Sequence, residues 1–288
     1  MSKIKIVTDS ASDISYKNED LYDIHVLPFQ IAIGDESYVS RVDFDNAKFF
    51  EMLEEADEIP KTSQITAFEF GELYGDLFEQ GYTDVIYVSI NSEGSATYYN
   101  SVQAKDQFFE DNPDATGNFN IYCIDSKTYS VGYGYPVVEA AKMADKGIPA
   151  PEIVKYLRDW FDKSVICFGI YSLKYAKKSG RIPAAAAFVG ELLGLRPIMR
   201  LADKTIETTD KVRGDSAVIP AVTKKVLEEI EPGSPYCVVY GNDSELRDGM
   251  AAAITEALGY PPADFYQIGA AVAVNAGPEV TGVSFKSK

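Results

Sequence analysis

Histidine is almost absent from this sequence: its 288 residues include one, His25. A zinc site built on two or more histidines is therefore excluded, and a Ser-His-Asp triad would have to use His25. That residue stands inside the apolar stretch "DIHVLPFQI", which is typical of a strand. We expect His25 to be structural, and we expect neither a metal site nor a catalytic residue.

Cysteine is also scarce. The three cysteines, Cys123, Cys167 and Cys237, lie far apart, and each stands in an apolar run. The sequence has no C-x-x-C pair, the spacing typical of metal and redox sites. We interpret the three residues as small buried side chains of strands, without a disulfide.

Basic residues are few: 27 Lys and Arg stand against 44 Asp and Glu, a net charge of -17. Such a chain is repelled by nucleic acid and by anionic membrane surfaces, so we expect neither as a partner. No apolar run approaches the roughly 20 residues of a membrane span, and the first residues lack an apolar signal region. We therefore expect a cytoplasmic protein with no stable membrane anchor.

Nucleotide-binding motifs are missing as well. The sequence contains no G-x-x-x-x-G-K-[ST] loop, and no G-x-G-x-x-G follows the first predicted strand. The short match "VGYGYP" near residue 131 is too brief to count. The chain thus has no recognisable ATP or NAD site of its own, and we expect no cofactor.

What the sequence does have is a regular alternation of strand-like and helix-like segments, with 46% hydrophobic residues, enough for a packed core. This alternation predicts an α/β protein. Residues 1–150 should form an N-terminal domain with a mostly parallel sheet and helices on both faces. Residues 151–288 should form a C-terminal domain with a mixed sheet, including a hairpin that turns near Asp203 and Lys204 and a final β-ribbon over residues 270–285.

Three hydroxyl side chains, Thr62, Ser63 and Thr66, occur within five positions of "KTSQITAFEF". Thr66 with Glu69 fits a capping box, so one hydroxyl is enough to begin the helix. The other two lie in a loop before a helix N-terminus, where anions are favoured. An ordinary solvated loop is the alternative interpretation.

A second turn of the same kind, "NSEGSATYY", follows the predicted strand "DVIYVSI". Ligands of parallel α/β sheets bind at the carboxyl ends of strands, in turns such as this one.

Farther along, Lys174, Lys177, Lys178 and Arg181 form a basic cluster, which is either a solvated helix face or a docking site for an anionic partner. The four alanines of residues 184–187 favour a helix and could leave room for an apolar ligand.

Eight segments occur in the order found in the DegV family, which this chain resembles over essentially its whole length. They are "VTDSASDI", "DIHVLPFQIAI", "KTSQ", "GSATY", "CIDSKTYSVGYG", "KKSGRI", "KVRG" and "GPEVTGVSF". Each is weak alone, and the ordered set is specific.

The resemblance implies a two-domain α/β protein that binds one long-chain fatty acid, such as hexadecanoate. The family's carboxylate ligands correspond to Thr62 and Ser95, with Ser63 available beside Thr62. Some members are the acyl-carrying subunit of fatty acid kinase, in which a separate ATP-binding subunit phosphorylates the bound carboxylate. The contact with that subunit would include Arg181, with Lys177 and Lys178 as further candidates.

One departure from the family lies in the last ribbon, where Asn275 stands at the usual position of a histidine. An amide can donate a hydrogen bond to a carboxylate, and it cannot transfer a proton. For the tail pocket, which reads as ordinary core residues, our candidates are Phe168, Ala184, Ala187 and Phe285.

Two alternatives to the fatty acid carrier stay open from the sequence. The first is a carrier for a different apolar acid or a small lipid, which Asn275 would permit. The second is a hydrolase or transferase with Ser95 as its nucleophile, which needs a base within reach. His25 is the one histidine, and Asp9 of "TDS" could orient a group although it is a poor base for serine.

Overall fold

The computed structural model describes residues 3–182, 185 and 194–288. The helices in this part of the chain are α1 (Tyr16–Leu21), α2 (Asn46–Glu55), α3 (Ala67–Glu79), α4 (Thr97–Asp111), α5 (Val131–Asp145), α6 (Ala150–Phe161), α7 (Ala176–Ser179), α8 (Val218–Glu229), α9 (Ser244–Leu258) and α10 (Ala270–Ala276). The alanines 184 and 187 lie outside the described residues.

The N-terminal half is built on a four-stranded parallel sheet. Its strands are β1 (Ile4–Asp9), β2 (His25–Leu27), β6 (Asp84–Ser89) and β7 (Asn120–Asp125), in the order β2-β1-β6-β7. The central strands β1 and β6 are buried along almost their whole length, as expected for strands covered on both faces. Their carboxyl ends open into loops at one edge of the sheet.

A small antiparallel sheet adjoins it, formed by β3 (Gln30–Ile33), β4 (Glu36–Val39) and β5 (Lys61–Ser63) in the order β4-β3-β5. Two predictions are corrected here. The stretch "DIHVLPFQIAI" is split between two sheets, because Pro28 has no N–H to donate to a ladder. The "KTSQ" segment, predicted to be a loop, begins with a short strand that pairs with β3.

The C-terminal half is built on a six-stranded mixed sheet. Its strands are β8 (Ser164–Ile170), β9 (Leu195–Ala202), β10 (Thr205–Arg213), β11 (Tyr236–Tyr240), β12 (Asp264–Gln267) and β13 (Val280–Lys286), in the order β10-β9-β8-β13-β11-β12. Only the β11–β12 pair of these described strands is parallel. The predicted hairpin is confirmed, with Asp203 and Lys204 at positive φ in its turn.

The predicted final ribbon is wrong in its first part. Residues Ala270–Ala276 form the helix α10, and only Val280–Lys286 form a strand. The alternation "AVAV" resembles a strand, but alanine is the strongest helix former and its small side chain pairs poorly across a sheet. Gly277, at a φ of 84°, ends the helix.

Helix α5 lies between the two large sheets and contacts β1 on one side and β8, β11 and β13 on the other. One hydrophobic core continues across it, and a second core lies under α8 and α9 on the far face of the mixed sheet. The α/β class with a parallel and a mixed sheet is confirmed. The boundary at residue 150 falls where α5 ends and α6 begins, and the division into two domains there stays a prediction.

Among the described residues, no helix has the length and apolar character that crossing a membrane requires. In the same part of the chain, no three His, Cys, Asp or Glu side chains are grouped to hold a metal ion. The three cysteines lie in β7, β8 and β11, as predicted.

Candidate functional site

A polar cavity of about 290 Å³ opens at the carboxyl ends of the parallel strands. The lining residues come from the segments that follow β2, β6 and β7, from β5 and the residues after it, from α10 and from the segment after α7. The polar side chains on its wall are Thr62, Gln64, Ser92, Glu93, Ser95, Tyr99, Tyr129, Arg181 and Asn275. This edge of a parallel sheet is where such folds bind ligands.

The structure separates the three neighbouring hydroxyls of the "KTSQIT" stretch. Thr62 lies on β5 opposite Ile31 and lines the polar cavity. Ser63 is exposed and lines none of the described cavities, because successive side chains of a strand point to opposite faces. Thr66 caps α3 in the predicted capping box with Glu69, which is confirmed. Ser63 therefore does not share the cavity that Thr62 lines.

Ser95 is held by its own turn and by the neighbouring loop. The amides of Gly94 and Ser95 donate to the Asn91 carbonyl at 3.0 and 3.2 Å. The Ser95 hydroxyl lies 2.9 Å from the Thr97 hydroxyl, which in turn accepts from the Ile65 amide at 3.2 Å. These bonds join the Ser95 turn to the segment that carries Thr62. The hydroxyls of Ser95 and Thr62 therefore lie on the same cavity.

Helix α4 begins directly after this turn. Gly94, Ser95 and Ala96 line the polar cavity, so the positive end of the helix dipole lies at its wall. Ala96 makes no side-chain capping bond, and Ser95 Oγ accepts from the Thr97 amide at 3.3 Å. The wall is thus suited to an anion, with a hydroxyl and a helix N-terminus on the same side.

Arg181 brings the nearest positive charge. Its guanidinium donates to the carbonyls of Gly94 and Ser179 at 3.5 and 3.3 Å, and within the described part of the chain it forms no ion pair. Lys178 is exposed and Lys177 is half-buried on α7, and neither lines the polar cavity. The predicted basic cluster is therefore divided: Arg181 lines the polar cavity, and Lys174, Lys177 and Lys178 do not.

Asn275 is on α10 rather than on a ribbon. Its side-chain amide donates to the Ala271 carbonyl one helical turn earlier, at 3.1 Å. One further N–H of the amide is available to a ligand. Asn275 lines the polar cavity together with Thr62 and Ser95, so three of the four predicted carboxylate residues meet at one place.

A second, apolar cavity continues from the polar one. Its wall includes Ile166 and Phe168 of β8, Leu201 of β9, Ile206 of β10 and Val280 of β13. Tyr129, Arg181 and Asn275 line both cavities and mark their junction. The two spaces together have the form of a polar head region with an apolar extension.

The tail-pocket candidates are placed differently from one another. Phe168 lines the apolar cavity. Phe285 is fully buried on the opposite face of the mixed sheet, in the core under α8 and α9, and it lines neither cavity. Phe285 belongs to a strand whose side chains alternate, and Val280, five residues earlier, faces the cavity instead.

Tyr129 is the main residue that sequence reasoning missed. Its hydroxyl accepts from the Asn91 amide at 3.2 Å, and burial raises its pKa, so it stays neutral. A Cβ at Gly94 would meet ring carbons of Tyr129 at 3.0 Å, so glycine is required for this close approach. The available signal was position: Tyr129 follows the carboxyl end of β7, next to the Ser95 turn in the sheet.

The geometry gives no support to Ser95 as a nucleophile. Asp9 is fully buried at the end of β1 and accepts hydrogen bonds from the hydroxyls of Tyr87 and Tyr133 and from the amides of Ile90 and Ala11. Burial raises the pKa of Asp9 to about 6, and its bonds tie the strand ends together. His25 lies in β2 and lines neither cavity.

The comparisons with known proteins agree with the motifs. A family model described as "Uncharacterised protein, DegV family" matches residues 3–288. A DegV domain-containing protein of Caldanaerobacter subterraneus is 30% identical over 294 residues, covering 100% of both chains. Protein DegV of Bacillus subtilis is 29% identical over 287 residues, which are 97% of this chain and 98% of that one.

Among solved structures, a stearic-acid-binding protein from Eubacterium ventriosum superposes with a TM-score of 0.87 at 25% identity. The superposition covers 99% of this chain and 97% of the other. The resemblance carried by the eight ordered segments is confirmed, and the chain belongs to the DegV family.

Proposed function

We propose that this protein binds a long-chain fatty acid, with the carboxylate in the polar cavity and the tail in the apolar cavity. The observation that carries the proposal is the junction: Tyr129, Arg181 and Asn275 line both spaces. A ligand that fits has a compact anionic end and a long apolar end. The stearic acid bound by the Eubacterium ventriosum relative has this form.

The carboxylate would be held by hydrogen bonds from Thr62 and Ser95, together with the Asn275 amide and the Arg181 guanidinium, which line the same cavity. Hydrogen bonds to a charged group contribute about 1.5–3 kcal/mol each. The α4 N-terminus adds to the attraction, because the residues that precede it, Gly94, Ser95 and Ala96, line the same cavity.

The tail would supply most of the binding free energy. Burial of a methylene group contributes about 0.8 kcal/mol, so about a dozen methylenes contribute on the order of 10 kcal/mol before the costs of association. A ligand held in this way can remain bound through purification. Mass spectrometry of the fresh protein, native and after solvent extraction, would identify it and give its chain length.

We further propose that the bound carboxylate is presented to a separate kinase subunit that holds ATP, which would place the protein in the cytoplasm. The kinase would transfer the γ-phosphoryl group of ATP to a carboxylate oxygen, leaving an acyl phosphate and ADP. Lys177 and Lys178 support this proposal, because they are positively charged and precede Arg181, which lines the polar cavity, by four and three residues.

The test of the binding site is the double variant Thr62→Ala/Ser95→Ala, measured by titration with hexadecanoate. The dissociation constant should rise about one hundredfold, because two hydrogen bonds of about 1.5 kcal/mol each are lost. Ser63→Ala is the matched control, since it also removes one hydroxyl from β5, on the face of the strand that points away from the cavity. An unchanged affinity in the double variant would refute the proposed carboxylate site.

A second candidate is a carrier for a different apolar acid or a small lipid. Asn275 favours it, because a neutral amide with one N–H already donated to Ala271 is a weaker carboxylate ligand than a charged histidine. The extracted mass distinguishes the two candidates directly.

A further inference from the structure

The β9–β10 hairpin lines the apolar cavity with its strands and contacts the polar cavity's loop with its turn. Leu201 and Ile206 are cross-strand partners next to the turn, and both line the apolar cavity. The two turn residues, Asp203 and Lys204, follow Leu201 by two and three positions. The hairpin therefore joins the region proposed for the tail to the loop that carries Ser95.

Lys204 makes the contact between the turn and the loop. Its ammonium group lies 2.9 Å from Asp125 Oδ2 and donates to the Ser92 hydroxyl at 2.8 Å. Its backbone amide donates to the Lys127 carbonyl at 2.9 Å, and its carbonyl accepts from the Asn91 side chain at 3.0 Å. The ammonium group also lies 3.9 Å from Oε1 of Glu93, which lines the polar cavity. One residue thus makes five polar contacts, with two loops of the parallel sheet.

The same loop residues hold Ser95. The Asn91 carbonyl accepts the amides of Gly94 and Ser95, while the Asn91 side chain also donates to Tyr129. Ser92 donates its hydroxyl proton to Asp125 at 2.6 Å, and its amide donates to the same carboxylate at 3.1 Å. A shift of the Lys204 turn would therefore move both Ser95 and Tyr129.

Lys204 also balances a charge. The Asp125 side chain is 12% exposed, and Lys204 is its cationic partner at 2.9 Å. Hydrogen bonds from Ser92, Lys204 and Lys127 outweigh the effect of burial and hold the pKa of Asp125 below its usual value. Without Lys204, an unbalanced carboxylate would face the Ser92 side of the cavity and would repel an incoming anion.

We propose that Lys204 is a positioning residue that holds the Ser95 turn in the geometry that binds a carboxylate, through the hairpin that lines the tail region. The proposal rests on the proposed function of the two cavities. It assigns to Lys204 a role in selecting acids over uncharged lipids, although Lys204 does not line either cavity.

The experiment compares hexadecanoate with hexadecanol, which has the same tail and no carboxylate. Dissociation constants would be measured for the wild type and for Lys204→Ala, Lys204→Gln and Lys204→Arg. We expect Lys204→Ala to raise the constant for the acid about tenfold and that for the alcohol less than twofold. Lys204→Gln should lie between them, and Lys204→Arg should retain most of the preference for the acid.

Lys225→Ala is the matched control, because its ammonium group pairs with Glu228 three residues farther along α8 and the residue lines neither cavity. Its acid and alcohol affinities should both stay at the wild-type values. Equal changes for acid and alcohol in the Lys204 variants, or no change for either, would overturn the proposal. Should Lys204→Ala fail to fold, Lys204→Gln carries the same test.

The role of Lys204 and the proposed carboxylate site can fail independently of each other, and the two sets of variants tell these failures apart. If Thr62→Ala/Ser95→Ala weakens acid binding and the Lys204 variants do not, only the role of Lys204 is refuted. If neither set of variants affects acid binding, the carboxylate site itself is refuted.

Discussion

Replacement of Gly94 by alanine gives a sharp test of the junction between the two cavities. An added Cβ would meet Cε1 and Cζ of Tyr129 at 3.0 Å and would lie closer still to the hydroxyl oxygen. Ordinary contacts begin at 3.4 Å, so the ring has to retreat or the turn has to move. The backbone of Gly94 is not in the left-handed region, so the effect is steric rather than conformational.

The size of the effect follows from what surrounds Tyr129. The ring packs against the main core, and its hydroxyl is bonded to Asn91, so it cannot swing freely into solvent. Overpacking of this kind costs about 1–3 kcal/mol, which corresponds to a fall in Tm of several degrees for a chain of this size. Because Tyr129 and Gly94 both line the polar cavity, we also expect hexadecanoate affinity to fall about tenfold.

The assay is thermal unfolding and hexadecanoate titration of Gly94→Ala, Tyr129→Phe and the double variant. Tyr129→Phe removes the closest atom and leaves the 3.0 Å contacts, so the double variant should recover part of both losses. Gly71→Ala is the control: that glycine lies in α3 with no atom within 4 Å of the added Cβ, and alanine there should raise stability by up to about 1 kcal/mol. Wild-type affinity in Gly94→Ala, or strict additivity with Tyr129→Phe, would refute the reasoning.

Two further predictions concern stability. Thr66→Ala removes the cap of α3 and should lower the free energy of unfolding by about 1 kcal/mol while leaving hexadecanoate affinity unchanged; weakened binding would place Thr66 in the site. Burial raises the pKa of Asp13 to about 7 from 3.8, so the folded state retains a proton that the unfolded state releases, and stability falls as pH rises between those values. Asp13→Asn removes this contribution, so between pH 5 and 7 the wild type should lose about 2 kcal/mol relative to the variant in denaturant titrations; parallel profiles would contradict the assignment.

The layered fold could be predicted from the sequence because its signals are local. Buried runs such as residues 4–9 and 84–89 alternate with amphipathic segments, and each takes the predicted form. The failures have local causes too. Pro28 divides one apolar run between two sheets, and an alternating run that contains four alanines becomes α10 instead of a strand.

The candidate site could be predicted only in part. The two hydroxyl-containing turns pointed to Thr62 and Ser95, and the family resemblance assigned these two residues and Asn275 to the carboxylate. The structure brings all three to one cavity. Tyr129 and Lys204 did not emerge, because their roles depend on contacts between distant positions. The bond from Asn91 to Tyr129 joins residues 38 apart, and that from Lys204 to Ser92 joins residues 112 apart. No local pattern reports such pairs.

The three hydroxyls of "KTSQIT" can be told apart by two local rules, the capping box at the start of α3 and the two-residue period of β5. Glu69, three residues after Thr66, engages that hydroxyl in the cap and removes it from the site. The two-residue period of β5 then puts Thr62 and Ser63 on opposite faces, and pairing with β3 turns Thr62 toward the cavity. Judged by residue type alone, the three hydroxyl side chains would be equivalent. Their separate alanine variants should therefore differ in kind: Thr62→Ala weakens binding, Thr66→Ala weakens the fold, and Ser63→Ala changes neither.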